Sequence, residues 1–232
     1  MKIFCVIPAY NEERNIKKVL ENVIKYVDEA VVVDDRSQDN TSREVRKAQI
    51  DHKCSKDLHQ KKITLIRHPI NRGQGAALQT GNSYSLARGA DIIVHFDADG
   101  QFLAEEIPDL IKPIMEEKVD ACFGSRFLGK RSNLPLLKEK LILPMGKIVN
   151  RLFFKIKTTD PQNGFRALSR QATLKIKIEQ DKMAHCSEIL HKAHKEKLRI
   201  KEVPITVIYH EYGQNFSGGV RIIKDIIIKR LI

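Results

Sequence analysis

The sequence of 232 residues is 42% hydrophobic and 30% charged, which is typical of a globular protein, and it is long enough for one α/β domain or two small ones. Its net charge of +12 favours polyanions, anionic membrane surfaces or phosphate-bearing ligands without choosing among them. Since it contains no uninterrupted apolar run of about 18 residues, and since its N-terminal apolar stretch is too short for a signal peptide, we expect neither a transmembrane helix nor a leader.

Strand-length apolar runs alternate with helical periodicity along the first half of the chain. Five strands are predicted, at 2–7, 30–33, 62–68, 91–96 and 120–125. The first helix is expected to have Asn11 as its N-cap, because apolar residues recur at three- and four-residue spacing from Ile16 to Val27. A short helix is predicted after the polar loop DDRSQDNTS (34–42), and a helix rich in small residues over 73–89, which ends at Gly89. This order indicates an α/β fold with a mostly parallel central sheet flanked by helices.

Four polar stretches fall where predicted strands end. They are PAYNE (8–12), DDRSQ (34–38), HPINRG (68–73) and DADGQ (97–101). Ligands of parallel α/β sheets bind beyond the carboxyl ends of the strands. The convergence of four such stretches therefore predicts a ligand site at this edge of the sheet.

Two basic segments differ from the rest of the chain. Residues 128–157 contain eight lysines and arginines against one acidic residue, interleaved with apolar residues, and 222–232 repeats the pattern. Basic amphipathic helices of this kind lie on membrane surfaces. We therefore expect one domain over 1–214, with 128–157 near the membrane, and a basic amphipathic tail over 215–232.

The cysteines and histidines form no recognisable metal or nucleophile motif. Four widely spaced cysteines without CxxC spacing indicate reduced thiols in a cytosolic protein, mostly small core residues. The eight histidines include neither HxH nor HExxH, which argues against zinc. His95, inside a strand, is interpreted as a packed and hydrogen-bonded residue.

The DADGQ stretch alone has several interpretations. An apolar strand followed by DxDG resembles the nucleophile loop of haloacid-dehalogenase-type hydrolases, although that loop normally continues with Thr rather than Gln101. An EF-hand fails on the position of Gly100. The residue types also fit a metal site, in which two carboxylates bind Mg²⁺ or Mn²⁺ and the metal in turn binds a diphosphate. The remaining alternative is that Asp97 and Asp99 are solvated loop residues that bind no ligand.

The stretch GQGAAL (73–78) could be mistaken for a dinucleotide-binding fingerprint. Its sixth position is Leu78, and no strand directly precedes it, so that interpretation is rejected. Gly73 and Gly75 are expected either to allow the close approach of a ligand or simply to begin the helix.

Taken together, the motifs resemble those of family 2 glycosyltransferases with the GT-A fold. VIPAYNEERNI, VVVDDRSQDNT, HPINRGQGAALQTG, HFDADGQ, GSRF and DPQNGFRALSR occur in that family's order, from about residue 3 to about 220. The resemblance is strongest to the branch that transfers sugars to dolichol phosphate or polyprenol phosphate. The chain departs from the family at Asn163, where a serine is usual, and at Lys140 and Pro144 in the basic segment.

The resemblance implies a role for each matching position. Residues implied to bind the nucleotide sugar are Pro8, Ala9, Tyr10, Glu12, Asp34, Asp35, Asn71, Arg72, Gly73 and Asp97. Residues implied to hold Mg²⁺ or Mn²⁺ are Asp97, Asp99 and Gln101. Residues implied to bind the acceptor phosphate are Ser125, Arg126 and Lys140. Asp99 and Arg126 are the implied catalytic residues, and Glu188 matches an acidic position before the strand at 202–205.

The implied activity is metal-dependent, inverting transfer of a hexose, mannose or glucose, from GDP-mannose or a UDP-sugar to dolichyl or polyprenyl phosphate. A phosphate monoester is mostly ionised near neutral pH, so it needs positive charge rather than a strong base. The alternatives are a family 2 enzyme with another acceptor, such as a cell-surface glycan or glycolipid, and a phosphohydrolase using Asp97. A non-enzymatic nucleic-acid-binding module fits the charge, but five tyrosines and no tryptophan offer few stacking platforms.

The expected location is the cytoplasmic face of a membrane, where the protein would associate peripherally with an anionic surface. The polyprenyl phosphate stays in the bilayer, so the enzyme must come to it. Nucleic acid is not an expected partner, and the need for a membrane-bound partner subunit is left open.

Overall fold

The computed structural model describes residues 1–54, 61–128, 158–182 and 184–208. Its strands are β1 (Ile3–Ala9), β2 (Glu29–Asp34), β3 (Lys62–Arg67), β4 (Ile92–His95), β5 (Ala121–Ser125), β6 (Arg166–Ser169) and β7 (Ile200–Pro204). Its α-helices are α1 (Ile16–Val23), α2 (Thr41–Cys54), α3 (Gln74–Ala87), α4 (Ile107–Glu116), α5 (Arg170–Lys175) and α6 (His185–Lys195). A short 3₁₀ helix, Ala104–Glu106, precedes α4.

The strands form one seven-stranded sheet in the order β3-β2-β1-β4-β6-β5-β7. The pairs β1–β2, β2–β3, β1–β4 and β5–β7 are parallel, whereas β6 is antiparallel to both of its neighbours. The predicted mostly parallel sheet and its five predicted strands are confirmed. The register aligns Ala9 with Asp34 and Asp34 with Arg67, so the carboxyl ends of β1, β2 and β3 meet at one edge.

Helices cover both faces of the sheet, and β1 shows how the pleat divides the core. Cys5 and Ile7 pack into one apolar cluster together with α1, α2 and α4. Phe4 and Val6, which alternate with them, pack into a second cluster together with α3, α5 and α6. Every residue of β2 is buried, as expected of a central parallel strand. Cys5, Cys122 and Cys186 are buried and form no disulfide among the described residues, and their reduced state stays a prediction.

The predicted start of the first helix is wrong. The helix begins at Ile16 with Asn15 as its N-cap residue, and Asn11 lies before it in the left-handed region, with φ 58°. The apolar periodicity is confirmed, since the repeating residues of α1 face the core. The predicted end of the helix over 73–89, which is α3, is also confirmed, because Gly89 follows its C-cap residue with φ 83°.

Several predictions lie outside the described residues. These are the basic segment 128–157 apart from Leu128, the tail 215–232, and with them Lys140 and Pro144. The division of the chain at residue 214 stays a prediction. Among the residues that the structure describes, none of the helices is long and apolar enough to span a bilayer.

Candidate active site

The PAYNE and DDRSQ stretches are joined by hydrogen bonds at the carboxyl ends of β1 and β2. The Asn11 backbone N–H donates to Ser37 Oγ at 3.0 Å, and Asn11 Oδ1 accepts from the Gln38 N–H at 2.9 Å. The Glu12 N–H donates to Thr41 Oγ1 at 2.8 Å. Asn11 is therefore a connector between two loops rather than a helix cap, which explains its left-handed backbone.

Asp35 joins DDRSQ to HPINRG. Its buried carboxylate accepts from His68 Nδ1 at 2.7 Å and from the Gly73 N–H at 2.6 Å. The Arg72 N–H donates to the same carboxylate at 2.9 Å, while Asn71 Nδ2 donates to the Asp35 carbonyl at 3.1 Å. Asp35 thus fixes the loop that carries Asn71, Arg72 and Gly73. Its direct contact with a nucleotide stays a prediction.

Asp34 has a similar internal role. It has no exposed surface, and its carboxylate accepts from the Ser37 N–H at 2.7 Å and from Ser42 Oγ. Arg67 Nε lies 3.3 Å from the same carboxylate. These contacts close the loop between β2 and α2, and contact of Asp34 with a ligand likewise stays a prediction.

The predicted nucleotide-sugar residues divide into two groups by exposure. Those whose side chains reach solvent are Tyr10, which is 45% exposed, Asn71 and Arg72. Those that are buried and shape the site from behind are Pro8, Ala9, Asp34 and Asp35. Glu12, Gly73 and Asp97 are partly exposed.

Asp97 follows β4 and lies at the centre of the polar edge. Its carboxylate is partly exposed, and Oδ1 accepts from Gln74 Nε2 at 2.8 Å, which connects it to the start of α3. A Cβ added to Gly164 would lie 2.3 Å from Asp97 Oδ2, so only glycine permits this approach. Burial, and then the charge of Asp99, raises the pKa of Asp97 to about 7.

Asp99 adds to the negative charge around Asp97, and Glu12 lies close enough to Asp99 for their charges to interact. Asp99 Oδ1 accepts from the Gln101 N–H at 2.9 Å, across a turn in which Gly100 has φ 73°. Burial, and then the nearby carboxylates that include Asp99, raises the pKa of Glu12. The fold therefore concentrates acidic side chains at one point, an arrangement that suits a divalent cation.

The donor set offered by the protein is small. In the described ranges, no three His, Cys, Asp or Glu side chains are grouped so that they could hold a metal. Mg²⁺ commonly takes one or two carboxylates and completes its shell with water and substrate phosphates. Asp97 and Asp99, with the amide of Gln101, fit that kind of site.

Beneath Asp97 lies a buried polar cluster that the sequence did not reveal. Arg166, 1% exposed, donates through Nη2 to Cys186 Sγ at 3.2 Å, and His185 Nε2 lies 3.4 Å from the same sulfur. Burial opposes thiolate formation, but the charges of His185 and Arg166 lower the pKa of Cys186 to about 6. No pattern links residues 166 and 185–186 in the sequence, because β6 and α6 bring them together.

His95 extends this polar layer along β4. It is buried, and its Nε2 donates to Asn82 Oδ1 at 2.8 Å. Burial, and then the charges of Arg166 and His185, lowers the pKa of His95 well below its ordinary value. The prediction of a packed, hydrogen-bonded histidine is confirmed.

Of the predicted acceptor-phosphate residues, Ser125 ends β5 and Arg126 follows it, whereas Lys140 lies outside the described residues. Arg126 pairs with Asp160 in a bidentate arrangement, in which Nε and Nη2 each donate to a carboxylate oxygen at 2.7 Å. Ser125 is fully buried, with Oγ 2.5 Å from Thr159 Oγ1, and Thr159 in turn donates to Glu202. Asp160 therefore balances the charge of Arg126, and phosphate binding by Ser125 and Arg126 stays a prediction.

Gly73 and Gly75 accommodate the protein chain itself. A Cβ at Gly75 would lie 1.9 Å from the Gln180 carbonyl oxygen, and its N–H donates to the Asp181 carbonyl at 2.8 Å. Glu188 fixes the same segment from the other side by accepting from the Gln180 N–H at 2.9 Å. Gly73 is the N-cap residue of α3 and Gly75 lies in its first turn, so the expectation that these glycines begin the helix is confirmed. The backbone of residues 180–181 also approaches them closely, and the approach of a ligand stays a prediction.

The family described as Glycosyl transferase family 2 matches residues 4–177. The UDP-N-acetylglucosamine–dolichyl-phosphate N-acetylglucosaminyltransferase of Methanococcus voltae is 36% identical over 243 residues, covering 99% of this chain and 96% of that protein. The undecaprenyl-phosphate mannosyltransferase of Micrococcus luteus is 29% identical over 229 residues, covering 95% and 89%.

A solved structure shows the same fold. The crystal structure of glucosyl-3-phosphoglycerate synthase from Mycobacterium tuberculosis aligns with a TM-score of 0.70 at 19% identity, covering 97% of this chain and 78% of that one. Another crystal structure of that enzyme, with a TM-score of 0.67 and 18% identity over 96% and 77% of the two chains, contains Mn²⁺ and UDP. The predicted GT-A fold is confirmed.

The family match includes PAYNE, DDRSQ, HPINRG, DADGQ and GSRF, whose described contacts converge on one sheet edge. The phosphohydrolase and nucleic-acid-binding alternatives would leave that convergence unexplained. The chain belongs to glycosyl transferase family 2 and is a glycosyltransferase.

Proposed function

We propose that this enzyme transfers a sugar from a nucleotide sugar to dolichyl or another polyprenyl phosphate. The observation that carries the proposal is a property shared by its relatives. The archaeal and bacterial proteins, 36% and 29% identical over nearly the whole chain, are named for different sugars but both for a polyprenyl-phosphate acceptor. The acceptor class is therefore the better supported half of the reaction.

The donor is the half on which these relatives differ. The relative with the higher identity is named for UDP-N-acetylglucosamine, which favours a UDP-sugar over GDP-mannose. A nucleotide would lie against the edge formed by Tyr10, Asn71 and Arg72, whose side chains reach solvent. Asp34 and Asp35 would support it by holding the loops behind that edge.

Asp97, Asp99 and Gln101 would hold Mg²⁺ or Mn²⁺ together with the diphosphate of the donor. Support comes from the raised pKa of Asp97, about 7, which burial and then the charge of Asp99 produce and which a bound cation would offset. The Mn²⁺ and UDP in a structure of similar fold agree with this assignment. When bound, the cation offsets the negative charge that develops on the departing nucleoside diphosphate.

An oxygen of the acceptor phosphate would attack the anomeric carbon as the bond to the diphosphate breaks, with inversion. The acceptor is already ionised near neutral pH, so no strong base is needed. Arg126, which Asp160 orients, would receive that phosphate, and Ser125 would support the loop beside it. Lys140 remains part of the proposal from the sequence alone.

Peripheral attachment to the cytoplasmic face of a membrane completes the proposal. The lysines and arginines of 128–157 and of the tail are suited to anionic lipid headgroups. A lipid-phosphate acceptor would then be delivered from the bilayer rather than from solution.

The test is a transfer assay with radiolabelled donors. Purified protein is mixed with UDP-N-acetylglucosamine, UDP-glucose or GDP-mannose, with polyprenyl phosphate in anionic vesicles, and with Mn²⁺, Mg²⁺ or EDTA. We expect organic-extractable label from one donor, only when both metal and lipid phosphate are present. Label transferred instead to a soluble phosphate, such as phosphoglycerate, would overturn the acceptor assignment, and full activity in EDTA would overturn the metal assignment.

A further inference from the structure

The turn formed by residues 160–164, called the 160–164 turn, contacts both halves of the proposed site. On one side Asp160, 2% exposed, forms the bidentate pair with Arg126. On the other side Gly164 lies so close to the carboxylate of Asp97 that a Cβ there would be 2.3 Å from Asp97 Oδ2, and the carboxylate would have to move. The turn therefore contacts Arg126, a residue of the proposed acceptor side, and Asp97, a residue of the proposed donor side.

Asn163 closes this turn from within. Its side chain is 5% exposed, and Oδ1 accepts from the Phe165 N–H at 2.8 Å. Nδ2 donates to Asp160 Oδ2 at 3.0 Å, the same oxygen that accepts from Arg126 Nε at 2.7 Å. The amide thus fixes the orientation of the carboxylate that in turn orients Arg126.

Arg166 holds the same turn from beneath. Its Nη2 donates to the Asn163 carbonyl at 3.0 Å, and its Nε donates to the Gly164 carbonyl at 3.2 Å. Cys186 Sγ, 3.2 Å from Nη2, anchors the guanidinium on α6. A planar, multi-donor group is needed for contacts in these several directions, and lysine could not reproduce them.

We propose that Asn163 and Arg166 are positioning residues, which hold the 160–164 turn so that Arg126 and Asp97 keep a fixed relation to each other. This inference rests on the proposed function, because it takes Arg126 as the phosphate-binding residue. Asn163 acts on the acceptor side through Asp160. Arg166 acts on both sides, since it holds the backbone at Asn163 and at Gly164.

The sharpest variant is Asn163→Ser. A serine can still accept from the Phe165 N–H, but it has no donor that reaches Asp160 as the longer amide does. We expect the KM for polyprenyl phosphate to rise about threefold to tenfold, with the KM for the nucleotide sugar unchanged within about twofold. Arg166→Lys is expected to lower kcat/KM for both substrates, by about tenfold or more.

A matched control is Ser169→Ala at the opposite end of β6. It removes the N-cap hydrogen bond of α5, in which Ser169 Oγ accepts from the Ala172 N–H at 3.1 Å, and leaves the 160–164 turn unchanged. Both KM values should then stay at their wild-type level. Thermal unfolding, followed by circular dichroism, shows whether each variant is folded. If Arg166→Lys does not fold, the result for Asn163→Ser alone decides the question.

The inference is overturned if the acceptor KM of Asn163→Ser equals that of an active wild type, or if both KM values rise by the same factor. It is also overturned if Ser169→Ala reproduces the change, because the effect would then follow from lost stability. A wild type that glycosylates no polyprenyl phosphate would instead overturn the proposed function, and this inference with it.

Discussion

Asp97→Asn should stabilise the metal-free protein at alkaline pH. The amide keeps an oxygen that can accept from Gln74 Nε2, but it removes a charge that burial and Asp99 make unfavourable. The pKa of Asp97 is raised in the folded protein, so the folded state binds this proton more tightly than the unfolded state does. Wild-type stability therefore falls as the pH rises from about 4 through about 7, and the variant lacks this loss.

The size of the effect follows from the same carboxylate. A rise in pKa from 3.8 to about 7 corresponds to roughly 4 kcal/mol if water is fully excluded. Asp97 is partly exposed, so solvent screening lowers this figure, and we expect about 1–2 kcal/mol. For a chain of this length, that stabilisation corresponds to an increase in Tm of about 2–8 °C.

The assay is urea unfolding in EDTA at pH 4.5 and at pH 8. The chain contains no tryptophan, so far-UV circular dichroism is the suitable signal. The variant should be the more stable protein at pH 8, with the difference much reduced at pH 4.5. Adding Mn²⁺ and UDP at about 100 times Kd should stabilise wild type by roughly 2.7 kcal/mol and the variant far less. A variant less stable than wild type at pH 8 without metal would refute the reasoning.

Three further substitutions test other parts of the site. Asp99→Asn should abolish metal-dependent transfer while leaving the far-UV spectrum unchanged, and retained transfer would exclude Asp99 from the metal site. Gly75→Ala should lower the free energy of unfolding, measured in urea, by about 1–3 kcal/mol, because its Cβ would lie 1.9 Å from the Gln180 carbonyl oxygen. An unchanged unfolding midpoint would contradict that packing. Glu188→Gln should lower the free energy of unfolding by about 1 kcal/mol, since it weakens the hydrogen bond from the Gln180 N–H and the ion pair with Lys192. An unchanged free energy would show that these contacts do not stabilise the fold.

The central parallel strands β1, β2 and β4 could be predicted because each is largely a continuous apolar run. β2 is buried along its whole length, and its sequence is correspondingly uniform. β6 was missed because it has only four residues and begins with a buried arginine, which no rule of strand composition favours. The start of α1 was misplaced because the side chain of Asn11 is used by Gln38, a residue of another loop.

The location of the site could be predicted better than its internal contacts. The rule that ligands bind at the carboxyl ends of parallel strands places PAYNE, DDRSQ, HPINRG and DADGQ together, and their hydrogen bonds confirm that they meet. The partner of Arg126 is 34 residues away in the sequence, and the partner of Arg166 is 20 residues away. Such pairs depend on the packing of β5, β6 and α6, which local sequence patterns do not specify.

The contrast between Asp35 and Asp97 indicates where a ligand charge is needed. Asp35 is matched by a histidine and by backbone N–H groups, so its charge serves the fold. Asp97 accepts from a neutral amide, stands beside Asp99, and forms no ion pair within the described part of the chain. The fold thus leaves negative charge at one point of an otherwise well-paired edge, at a cost in stability. A bound cation would remove that cost, which is why Asp97→Asn should make a metal-free protein more stable and a catalytically weaker one.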